Sequence, residues 1–205
     1  MLKLLNKFCY IYLINMNKLV LFLITLIIII YINYYNKYNN YFQIIQLTSD
    51  KINQDILHEK LPILLEDPIS NPNDFIYVLF TYEYIFKKYF KYNKNKFSNN
   101  VNKNLAHYLI FYNSSDNEIP IFISHPKYHT NFKFNKNNKY FYKISDYIVQ
   151  DTNDINDTQF VQISIKPKQI FILPSYWLFY VNHNIDTYFL YGAFNLLLAF
   201  SKICF

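Results

Sequence analysis

From Leu19 to Ile32 the chain reads LVLFLITLIIIIYI, a run with no charge and with Thr25 as its one aliphatic hydroxyl. Extended to Tyr35, it reaches the lower end of the roughly 17 to 25 apolar residues that cross a ~30 Å hydrocarbon core as a helix. A helix that is apolar all round has no face to turn to water, so the pattern predicts a transmembrane anchor over 19–35 and not a surface helix. Lys3, Lys7 and Lys18 precede the run and only Lys37 follows it closely. That asymmetry predicts a short cytoplasmic N-terminus, residues 1–18, with the rest of the chain across the membrane. A cleaved signal peptide opens in the same way, but residues 31–47 contain no Ala, Gly or Ser for a signal peptidase to act beside. An uncleaved signal-anchor is therefore expected.

After a linker expected over 36–49, the polar patterning of a folded domain begins and continues to residue 205. Roughly 155 residues suffice for one well-buried core and are too few for two. In DKINQDILHEK, residues 50–60, Ile52, Ile56 and Leu57 recur at helical spacing behind Ser49 or Asp50 as a cap. The apolar run 61–69 lies between prolines and predicts a strand. Asn73 or Asp74 then caps a helix over 74–90, with Lys87, Lys88 and Lys91 at its negative end. Short aromatic and β-branched runs follow at 105–112, 119–125, 131–134, 139–144, 159–165 and 169–174, with the clearest alternation in Phe160-Gln162-Ser164 against Val161-Ile163-Ile165. These predict strands. Residues 187–200 predict a strand leading into a closing apolar element. The expected class is α+β: an N-terminal transmembrane helix, short helices, then an antiparallel β sandwich or barrel.

Charge changes this picture little once it is apportioned. The net +6 includes four lysines before residue 50, whereas all the acidic residues lie from Asp50 onward with the other sixteen lysines, which leaves the domain about +2. Arginine is absent, and with it the planar fork that reads guanine edges and clamps phosphate. Gly occurs once, as Gly192, so Asn is expected at turns needing positive φ. Cys9 and Cys204 fall on opposite sides of the predicted span and form no disulfide framework. Asn113-Ser114-Ser115 and Asn156-Asp157-Thr158 match the glycosylation tripeptide, a weak signal in so Asn-rich a chain.

In QIFILPSYWLFYVNHN, 169–184, a strand leads into Pro174-Ser175-Tyr176-Trp177-Leu178-Phe179-Tyr180-Val181. This resembles the late strand pair of cupin-like domains related to JmjC proteins, where Pro-Ser-x-Trp-x-His-x-Val follows a strand. The earlier run KLPILLEDPISNPNDFIYVLFTYEYIFKK is similar to the opening of membrane-anchored proteins of giant nucleocytoplasmic DNA viruses. The resemblance implies a cupin-like domain over 50–205 and, in its catalytic members, an iron(II) site of a His-x-Asp/Glu pair with a distant His. Phe179 stands where that His would be, and no His-x-Asp or His-x-Glu occurs in the chain.

Other chemistry is equally thinly signposted. His125 and His129 have the i, i+4 spacing of a zinc helix, but Pro126 intervenes and no third ligand is marked. Asp146, Asp151, Asp154 and Asp157 lack the alternating ligands of a calcium loop and predict a solvated turn. FKKYFKYNKNKF, 86–97, gathers Lys87, Lys88, Lys91, Lys94 and Lys96 among aromatics. A helix end running into a lysine-rich loop accounts for it, and contact with lipid or a partner is its functional alternative.

The sequence thus predicts a single-span membrane protein, in a host or virion membrane, whose domain is non-catalytic and structural or interacting. No cofactor and no nucleic-acid partner are expected, and the lipid bilayer is the expected partner. The rival readings are an iron-dependent oxygenase with unrecognised ligands and a lipid-surface binder acting through the lysine patch.

Overall fold

The computed structural model describes residues 18–29, 39–80, 89–96, 101–104, 106–134, 145–149 and 158–191. The chain divides into two compact units, Met1–Lys37 and Tyr38–Phe205. In the first, residues 18–29 form a helix, α1. Leu19, Leu21, Phe22, Ile27 and Ile29 are each at least 52% exposed, and the Thr25 hydroxyl donates to the Leu21 carbonyl at 2.8 Å. The one aliphatic hydroxyl of the run is thereby absorbed by the helix's own backbone. Among the described residues no helix is long and apolar enough to cross a membrane, and residues 30–35 of the expected span lie outside them.

The second unit is α+β, with two six-stranded, mostly antiparallel sheets. One sheet holds β1 (Ile45–Leu47), β2 (Ile63–Leu65), β10 (Ile170–Pro174), β5 (Tyr108–Tyr112), β12 (Asn184–Tyr191) and β3 (Tyr89–Lys96), in that order. The other holds β7 (Phe132–Phe134), β8 (Ser145–Val149), β4 (Val101–Lys103), β11 (Leu178–Tyr180), β6 (Ile119–Ser124) and β9 (Phe160–Ile165). From β3 onward the chain passes repeatedly between the sheets, so strands adjacent in sequence are seldom adjacent in space. The pairing of β1 with β2 is parallel.

Alternation along the strands builds a core on each face of the first sheet. Leu109, Phe111, Phe171, Leu173 and Phe189 turn one way and meet Ile121, Ile123, Ile163, Ile165 and Phe179 of the second sheet. Ile63, Leu65, Ile110, Ile170, Ile172 and Leu190 turn the other way and are covered by Leu57, Ile76 and Phe80. Those three belong to α2 (Gln54–His58) and α3 (Pro72–Phe80), which form a third layer.

Several expectations change. Within the expected linker, residues 45–47 form β1, and Phe42 and Ile44 pack against the core between the sheets. Helix α2 is capped by Asn53, whose side chain accepts from the Ile56 N–H, rather than by Ser49 or Asp50. Helix α3 starts at Pro72, where a missing N–H costs nothing, and Asn71 rather than Asn73 or Asp74 accepts from the Asp74 N–H at 3.4 Å. The helix expected to continue to residue 90 is overruled at Tyr89, where β3 begins and pairs with β12 along its length. Pairing of backbone groups outweighs the local propensity of an Asn- and Lys-rich run. Asp146 lies on β8, not in a turn, while Asp151, Asp154, Asp157, Asn156, Cys9, Cys204 and 139–144 lie outside the described residues. Strand β12 covers residues up to 191 of the expected element 187–200, the rest of which is outside them.

Candidate functional site

The β10–β11 turn, Ser175 to Trp177, carries the most unusual backbone in the domain. Positive φ among the described residues falls on Lys60 (55°), Lys168 (63°) and Tyr176 (72°), not on Asn as expected. For a bulky aromatic residue this conformation is strained and persists only where the surroundings impose it. Asn104, fully buried between β4 and β5, does so. Its carbonyl accepts from the Tyr176 N–H at 2.7 Å, and its own N–H donates to the Trp177 carbonyl at 2.9 Å. Its side-chain NH2 donates to the carbonyls of Leu173 (2.9 Å) and Pro174 (2.8 Å), and its Oδ1 accepts from the Ala106 N–H. Tyr176 lies beneath the Lys103 ammonium, 5.4 Å from its ring centre, and burial pushes its phenol pKa well above the usual range.

The turn aims Trp177 inward, where it is fully buried. Phe42 stacks on the indole at 5.7 Å, and the His125 ring meets it edge-on at 5.3 Å. Trp177 Nε1 is the one buried side-chain polar atom among the described residues without a hydrogen-bond partner. Leaving such a donor unpaired costs about 1–3 kcal/mol.

His125 follows β6 and caps the 3-10 turn Pro126–Asn131, its Nδ1 accepting from the Lys127 N–H at 3.1 Å. Its Nε2 lies 2.8 Å from the Asn39 carbonyl, which assigns the proton to Nε2. Burial lowers its pKa, the bond to Asn39 raises it, and the Lys127 charge lowers it further. His129 is turned onto its own turn, with Nδ1 3.0 Å from the Pro126 carbonyl. The two histidines are therefore structural partners of the turn and share no ligand geometry.

Iron(II), which the resemblance implies, needs lone pairs at the position of Phe179. That side chain is fully buried, edge-on to Phe111 at 5.4 Å, and its register partner on β4 is the buried amide Asn102. Among the described residues no three His, Cys, Asp or Glu side chains come together to hold a metal ion. A phenyl ring wedged into an apolar core does not fit the metal, and no step is derived through it.

Of the lysine patch, Lys87 and Lys88 lie outside the described residues. Lys91, Lys94 and Lys96 fall on β3, at register positions opposite Phe189, Asp186 and Asn184, instead of in the expected helix end and loop. Asn113 is buried, and its NH2 donates to the carbonyls of Asn117 and Ile165, so a glycan there is incompatible with this fold. The roles of Asn104 and Asn113 were not legible in the sequence, because a buried Asn and a loop Asn are the same letter. No known protein family, curated protein or solved structure matches the chain.

Proposed function

We propose that the chain is a single-span membrane protein whose domain, a cupin-like barrel without metal chemistry, serves a structural or interaction role. The observation that carries this reading is Phe179, fully buried against Phe111 where a catalytic relative would hold iron. The order β3-β12-β5-β10 facing β4-β11-β6-β9 supports the cupin-like element, since double-sheet jelly rolls exchange strands between sheets in this way. The exposed apolar surface of α1 and the lysines before it support the anchor, with the N-terminus cytoplasmic. A viral origin rests on the resemblance alone.

Membrane residence is tested by alkaline carbonate extraction followed by protease treatment of sealed vesicles with their cytoplasmic side outward. The chain is expected in the pellet, with the domain protected. Release into the supernatant would refute the anchor, and digestion of the domain would reverse its orientation.

A further inference from the structure

Residues 39–44 enter the domain without regular secondary structure and lie across the aromatic cluster. The Asn39 carbonyl is held by His125 Nε2, the Asn39 NH2 reaches the Glu59 carbonyl at 3.3 Å, and Phe42 lies on the Trp177 indole. Asn40, Tyr41 and Gln43 between these points are exposed. We propose that residues 39–44 form a pH-sensitive strap over Trp177, with His125 as its latch.

Both ring nitrogens of His125 are committed: Nε2–H donates to Asn39, and the Nδ1 lone pair receives the Lys127 N–H. A second proton on Nδ1 would set two donors against each other. The ring is 1% exposed, so the new charge would also lie out of water, edge-on to Phe42 and Trp177. From the 3-10 turn the charge acting on it is that of Lys127, which opposes a second cation. From the strap it faces the Asn39 carbonyl and the Phe42 ring, and from the β10–β11 turn the indole, none of them charged. His125 charges freely only by rotating out, and that motion withdraws Nε2 from Asn39.

The sign follows from linkage. The folded pKa lies below the ~6.5 of free imidazole, so closure is fully favoured above that value and is lost as pH falls through the folded pKa. Opening also lets water reach Trp177 Nε1, which offsets part of the lost contact with Phe42. If the chain is anchored as proposed above, release of six residues adds up to about 20 Å of tether at ~3.3–3.6 Å per residue. That consequence rests on the anchored reading; the latch itself does not.

Trp177 is the single tryptophan, so its emission reports the strap directly. The full chain in detergent micelles is titrated with acrylamide at about pH 7.5 and about pH 5, either side of the ordinary imidazole pKa, with far-ultraviolet circular dichroism recorded at both. In the unaltered chain the quenching constant is expected to rise several-fold at the lower pH with the β-sheet spectrum retained. In His125→Gln, whose amide can still donate to Asn39 but cannot gain a proton, it should stay low at both. In Phe42→Ala it should be high at both, and this variant decides the matter if His125→Gln does not fold. Equal quenching of the unaltered chain at both pH values would overturn the latch. So would loss of the β-sheet spectrum at pH 5, or a pH response that survives in either variant. Micelles dissolve the chain whether or not it spans a bilayer, so failure here leaves the anchor reading standing, and failure of the extraction test leaves the latch standing.

Discussion

The two ends of β5 are built alike and finished differently. Ahead of the strand, Asn104 receives the Tyr176 N–H and gives its own to Trp177; behind it, Asn113 receives the Lys168 N–H and gives its own to Gln169. Each asparagine thus grips a neighbouring turn at its residue of positive φ, and each is fully buried. At the Asn113 end every group finds a partner: Oδ1 takes the N–H and hydroxyl of Ser115, and Gln169 bridges Lys166 and Glu66. The Asn104 end leaves Trp177 Nε1 unpaired and covers the indole with a strap held through a histidine. Identical clamps therefore serve stability at one end, while the other keeps an unsatisfied donor beneath a removable cover. Natural folds tend to tolerate such violations where the molecule acts.

The largest effect is expected at the unsatisfied end. Trp177→Ala removes the biggest fully buried side chain and should cost about 3–5 kcal/mol in denaturant unfolding. A variant as stable as the parent would mean that the indole contributes no core packing, and the comparison would fail at its first term.

Smaller, and more telling about the symmetry, is the pair Asn104→Ala and Asn113→Ala. Asn104→Ala strands the carbonyls of Leu173 and Pro174, for about 2–4 kcal/mol by the same unfolding assay, and Asn113→Ala strands that of Ile165 while Asn117 keeps the Ser115 hydroxyl, for about 1–3 kcal/mol. Only Asn104→Ala should also shift Trp177 emission to the red, because only it frees the turn that aims the indole. A shift of equal size from Asn113→Ala would show that the two ends are coupled and that the contrast between them is false.

Much of the architecture was legible where chemistry and position agree. The alternation Phe160-Gln162-Ser164 against Val161-Ile163-Ile165 is the register of β9 on β6, with Ile163 and Ile165 turned to the core. Strands β3 and β4 were not legible, since YFKYNKNK and VNK carry the letters of a loop and become strands through partners distant in sequence. Lysine in an edge strand is itself ordinary, because it discourages further pairing. At the site, Pro174 to Phe179 drew attention through a motif. The strap did not: nothing in NNYFQI distinguishes a linker from a segment whose Asn39 and Phe42 fasten onto His125 and Trp177. Such contacts join residues 86 or more positions apart and leave no local period to read.

The account turns on a core between the two sheets that is filled by Phe179 instead of a metal. Its most direct test is metal analysis of the full chain purified without chelator, joined to thermal melts with and without EDTA. No stoichiometric iron or zinc and an unchanged Tm are expected, since a fold that binds no metal loses nothing when metal is stripped. One equivalent of metal, or a clear fall in Tm with EDTA, would contradict it.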